Sequence, residues 1–121
     1  MMSKTDVQVR RVYDEPASSD GIRVLVDRIW PRGLTKAKAG LAEWCKQVAP
    51  STALRRWYAH DPAKFEEFAS RYRAELEQRE RATALLHLRD LAENGGPLTL
   101  LTATKQPDIS EAAVPGDLLR H

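Results

Sequence analysis

Two short runs, IRVLV at residues 22–26 and LTLLT at residues 98–102, are almost unbroken in β-branched and aliphatic side chains. Strands with one wet face alternate apolar and polar residues. Continuous apolar runs belong instead to strands covered on both faces, as in parallel sheets. Parallel neighbours need a crossover, and the chain between these two runs holds most of its helical signals. The pair predicts an α/β fold, a small, mostly parallel, largely buried sheet of about four strands with helices packed on it.

The remaining segments fit that plan. VQVRRVY at residues 7–13 alternates and reads as another strand, and DEPASSDG at 14–21 is a loop dense in turn residues. LAEWCKQV at 41–48 fits either a short strand or a helical turn. Pro50 tips it toward a strand, because proline disfavours α geometry at Ala49. Ser51 is a candidate N-cap for TALRRWYAH, and Asp61-Pro62 signals the start of the next helix. There Phe65, Phe68, Tyr72 and Leu76 recur at spacings of three and four and form one apolar stripe. Leu85, Leu88, Leu91 and Ala92 continue the helical pattern to a glycine cap at Asn94-Gly95-Gly96. Ser110 reads as the cap of a final helix, which Pro115-Gly116 is expected to kink or break.

Composition narrows the setting. A chain of 121 residues, 42% hydrophobic and 30% charged, suits one soluble domain over residues 1–121 with its own core. No apolar run approaches the roughly 20 residues that cross a bilayer, so no membrane partner is expected. The opening MMSKTDVQVRR has no signal-peptide stretch, and Cys45 is the single cysteine, which together predict a cytoplasmic protein without internal disulfides. A net charge of +2 is too small to argue for nucleic acid. Its distribution says more. Residues 1–60 carry 11 Lys/Arg against 6 Asp/Glu, and residues 61–121 carry 8 against 11. An anionic ligand would favour the first half.

If the two buried strands run parallel, their C-terminal ends open on one edge, where ligands bind in open α/β sheets. That edge would gather Asp27, Arg28 and the WPRG loop beside Thr102, Thr104 and Lys105. Arg28 and Arg32 flank a proline-stiffened turn, and their planar guanidinium groups suit phosphate or carboxylate, although structural ion pairs use the same chemistry. Arg55 and Lys105 would add positive charge. Asp27 is a candidate general base, or else a group that orients an arginine. Trp30 and Trp57 fit either a ligand wall or core. His60 stands before the Asp61 cap, where a histidine could move a proton or serve structure. A Cys45–His60 nucleophilic pair is conceivable, but a cysteine beside Trp44 in an apolar alternation reads by default as buried structure. The scattered histidines and lone cysteine offer no metal-ligand spacing, and Gly95-Gly96 precedes a strand, the reverse of a phosphate-binding loop. No cofactor is indicated.

The segments DGIRVLVDRIWPRGL, APSTALRRWYAHDPAKFEEFASRYRAEL and LTLLTATK resemble the YeaO-like family of small bacterial proteins, a domain of unknown function (number 488). The resemblance runs from about Val9 to Leu119. Its most specific parts are DRxWPRG, carried by Asp27, Arg28, Trp30, Pro31, Arg32 and Gly33, and LRxWYxH, carried by Leu54, Arg55, Trp57, Tyr58 and His60. It implies an α/β fold and a cytoplasmic bacterial protein, and it supplies no activity. Broader relatives often carry a cysteine followed by His-Arg after the last strand. TATKQPDISEAA, the matching region here, has neither cysteine nor histidine.

Two functional readings follow. In the first, Arg28, Arg32, Arg55 and Lys105, with Trp30, hold a small anion (phosphate, nucleotide or carboxylate), and His60 or Asp27 moves a proton. In the second, the chain is a non-catalytic module for protein or nucleic acid, using the basic loop TKAKAG with Arg32.

Overall fold

The computed structural model describes residues 6–120. Its strands are β1 (Val7–Arg11), β2 (Ile22–Leu25), β3 (Glu43–Trp44) and β4 (Leu98–Thr102). Its helices are α1 (Lys36–Ala39), α2 (Thr52–Tyr58), α3 (Phe65–Glu75), α4 (Arg79–Gly95) and α5 (Ala113–Arg120). The four strands form one sheet in the order β1-β4-β2-β3, and each neighbouring pair is parallel. The two continuous apolar runs are its interior strands, in register from Ile22 opposite Leu98 to Leu25 opposite Leu101.

The sheet's two faces are covered differently. Val24, Val26, Leu98 and Leu100 pack into the main core with Phe68, Tyr72, Leu88 and Leu119 of the helices. Leu25, Leu101 and Val12 face the other way and are covered by Trp30, Leu34, Leu41 and Trp44. Only this dual covering explains why β2 and β4 lack alternation. On the loop-covered side Asp20 is buried and bonds both Arg10, at 2.5 Å, and Arg23. Arg23 goes on to donate to the Ala39 carbonyl at 3.1 Å, so the buried Asp20 charge lies between two arginines.

Local capping sets the helix boundaries. The Ser51 hydroxyl accepts the Leu54 N–H, and Glu75 accepts both the Ser51 amide and its hydroxyl. The Asp61 side chain accepts the Ala63 N–H and opens a 3-10 turn, Pro62–Lys64, that leads into α3.

Four expectations need correction. Of residues 41–48 only Glu43–Trp44 pair as a strand, and Lys46–Val48 form a 3-10 turn. α2 stops at Tyr58, because Ala59 and His60 both take left-handed backbone angles, φ 47 and 58. Ser110 does not cap α5: its hydroxyl donates to the Pro107 carbonyl. Nor do Pro115 and Gly116 break α5. Pro115 falls in its first turn, where a missing N–H costs nothing. At Gly116 a Cβ would stand 2.8 Å from Val9 Cγ2, so the glycine is what lets α5 lie close on β1.

Candidate functional site

The C-terminal ends of β1, β4 and β2 open on one edge of the sheet, and an open cleft of ≈ 860 Å³ occupies that edge. Each strand end contributes to its lining: Tyr13 after β1, residues 27–32 after β2, and residues 103–106 after β4. α2 adds Arg55, Arg56 and Tyr58, followed by His60, and Glu111 approaches from the segment before α5.

Asp27 forms the floor. It is 8% exposed, and its Oδ2 accepts the Ala103 N–H at 2.8 Å, tying the end of β2 to that of β4. Its carbonyl accepts the Trp44 indole N–H at 2.7 Å, which fixes the backbone as well. Oδ1 is buried with no hydrogen-bond partner among the described residues. Glu111 lines the same cleft, near enough for the two carboxyl groups to act on each other. Burial first, and then the nearby Asp27 carboxyl, hold Glu111 well above the usual glutamate range. The Arg55 guanidinium pulls the other way without reversing this. Glu111 therefore holds its proton more firmly than a free glutamate does.

Around the rim stand Arg28, Arg32, Arg56 and Lys105, and Arg55 lies deeper. Arg55 donates to the Thr52 hydroxyl at 3.0 Å, while its Nε is buried and finds no partner among the described residues. Among the described residues no ion pair joins Arg28, Arg32, Arg56 or Lys105 to a carboxylate. Away from the cleft, Arg10, Arg23 and Arg71 each pair with a carboxylate.

The WPRG loop is held by its own aromatics. The Trp30 indole donates to the Leu34 carbonyl at 2.7 Å and meets Trp44 edge-on, with ring centroids 5.4 Å apart. The Tyr13 hydroxyl donates to the Arg32 carbonyl at 2.8 Å, pinning the loop to the end of β1. Trp30 thus serves the second core cluster and the cleft wall together. Opposite, Tyr58 stacks on Phe68 at 4.2 Å and donates to the Ile109 carbonyl at 2.6 Å, which anchors the segment bearing Glu111.

Asp27, Arg28, Trp30, Arg32, Arg55, His60 and Lys105 all line this one cleft. Trp57 does not: it half-buries against the core beneath Lys64 and Arg71. Cys45 lies in the main core, apart from the cleft that His60 lines, so the two do not form a nucleophilic pair. Glu111, Tyr13 and Arg56 are cleft residues that the sequence did not single out, and Tyr58 entered only as part of the LRxWYxH block. For Glu111 the local pattern points the other way, since an acid after Ser110 resembles an ordinary helix start. Among the described residues no group of His, Cys, Asp and Glu has the arrangement of a metal site.

Fold and cleft together define a small parallel-sheet α/β protein with a cation-rimmed strand-end site. A family model described as the inactive DUF488-N3 subclade matches residues 6–121, and the chain belongs to that family. The uncharacterized protein Rv3073c of Mycobacterium tuberculosis is 48% identical over 119 residues, 98% of each chain. The uncharacterized protein YeaO of Escherichia coli is 42% identical over 115 residues, covering 95% of this chain and 97% of its own. No solved structure matches.

Proposed function

We propose that this protein is a binding module for a small anionic ligand, of the phosphate, nucleotide or carboxylate class, held in the strand-end cleft by Arg28, Arg32, Arg55 and Lys105. The observation that carries this reading is the gathering of Arg28, Arg32, Arg55, Arg56 and Lys105 around one concave cleft, none of them in an ion pair among the described residues. Arginine forks provide bidentate donors for such anions, and a concave wall strengthens their field. The left-handed pair Ala59 and His60 supports it too, since backbone strain gathers at binding sites. Binding without chemistry is favoured over acid/base catalysis by Asp27 and His60. Residues 102–113 lack cysteine and histidine, and the family carries the description inactive. The buried free thiol of Cys45 suits the reducing cytoplasm, where we place the protein. No helix of the described residues is long and apolar enough to cross a membrane.

A second reading has one observation behind it. Ile29, beside Arg28 on the cleft rim, is 67% exposed, which suits contact with a protein or nucleic-acid partner. Thermal shift separates the two. Phosphate, pyrophosphate, nucleotides and dicarboxylates are tested on wild type and on Arg28→Ala. A ligand at about 100 times its Kd raises stability by roughly 2.7 kcal/mol, and Arg28→Ala should abolish the shift while melting as wild type does. No shift with any anion contradicts the proposal. An oligonucleotide that binds with steep salt dependence would favour the second reading.

A further inference from the structure

We propose that the floor of the cleft reads hydrogen-bond donors: Asp27 and Glu111, with Arg55 beside them, select phosphate esters whose far end carries N–H or O–H groups over bare phosphate. Nucleoside monophosphates and sugar phosphates share that chemistry. The inference rests on the reading of the cleft as an anion site and adds what the ligand must carry besides its charge.

The geometry separates two zones. Exposed Arg28, Arg32 and Lys105 stand at the rim, and the carboxyl pair lies at the base. A cleft of ≈ 860 Å³ is far larger than a bare phosphate needs and lies within the range of sites for small organic ligands, about 300–1,000 Å³. A phosphate ester can place its charged end at the rim and reach the base with the other.

What the base offers follows from its lone pairs. Asp27 has about four lone-pair sites, and the Ala103 N–H takes one, on Oδ2. Its Oδ1 is buried with no hydrogen-bond partner among the described residues, so the base presents an acceptor that lacks a donor. Two acids stand there against five cations, so positive charge still dominates the cleft. An anion with a donor-bearing tail satisfies both zones, and one without donors leaves buried acceptors unpaired, which is costly.

Glu111 is a positioning and specificity residue in this scheme, so its test reads preference instead of stability. Isothermal titration at neutral pH compares inorganic phosphate, guanosine monophosphate and glucose 6-phosphate, with guanosine as the uncharged control. Wild type is expected to bind at least one ester about tenfold or more tighter than phosphate. Whichever ester wins separates a nucleobase from a sugar as the donor source. In Glu111→Ala the preference should fall to about twofold, with phosphate affinity nearly kept. Glu111→Gln should retain the preference, because the amide keeps the side chain's shape and an acceptor oxygen beside Asp27. Asp27→Asn, which turns one acceptor oxygen into a donor, should lose it and provides a second route should Glu111→Ala fail to fold. Equal affinity for ester and phosphate, or a preference that survives both Glu111→Ala and Asp27→Asn, overturns the inference alone. A wild type that binds none of the anions overturns the anion reading with it.

Discussion

The Asp27 carboxylate accepts the Ala103 N–H at 2.8 Å across 76 positions of sequence, and this bond joins the C-terminal ends of the two interior strands. It makes one floor from two crossovers. Glu111 approaches that floor, so the cleft is built from the end of β2, the end of β4 and the segment leading to α5.

Glu111 makes stability depend on pH in a definite direction. Its folded-state pKa is raised above the ordinary value of 4.5, chiefly by burial. The stability it contributes is full below that ordinary value and is lost as pH rises toward the folded value, because the unfolded chain ionises first. Each pH unit across that window is worth at most about 1.4 kcal/mol. Glu111→Gln removes the titration. Melting curves should show the variant gaining on wild type between acid and neutral pH, and parallel curves would contradict the protonated Glu111.

The left-handed Ala59 carries a steric cost of about 1–2 kcal/mol that glycine avoids. Ala59→Gly should therefore raise the melting temperature by a few degrees, less whatever glycine's unfolded-state entropy takes back. A lower melting temperature would mean that the Ala59 methyl group contributes packing that outweighs the strain.

Cys45 should be chemically silent. Burial, with help from the Glu43 charge, pushes its thiol up to about 11, and the side chain is 4% exposed. At mildly alkaline pH iodoacetamide should label the native protein far more slowly than the chain in urea. Comparable rates would place the thiol outside the core.

Gly21 sits where β2 begins, at φ 64, and a Cβ there would stand 2.2 Å from the Pro97 carbonyl oxygen. Backbone cannot yield as a side-chain tip does. Gly21→Ala should cost about 3 kcal/mol or more by urea denaturation, combining left-handed strain with overpacking. A loss under about 1 kcal/mol would show that the residue 97 backbone moves freely.

Much of this was legible in the residues themselves. β2 and β4 announced themselves because burial on both faces removes alternation, and the strand-end rule then drew Asp27, Arg28, Arg32 and Lys105 to one edge. β3 was obscure because only Glu43 and Trp44 pair before the chain coils into a 3-10 turn. Pro115 misled because its effect depends on which turn it occupies, and that turn is set by where α5 docks on β1. Glu111 was illegible for a related reason. Its meaning comes from Asp27, 84 positions earlier, and no local pattern encodes that meeting.

The most direct test of the anion-binding claim is a phosphate titration of the ¹⁵N-labelled protein followed by amide chemical shifts. Saturable changes should concentrate at residues 28–33, 55–60 and 103–106, with the remainder of the sheet unmoved, and should vanish in Arg28→Ala. Changes scattered over the surface, or none at these segments, would contradict an anion site at the strand ends.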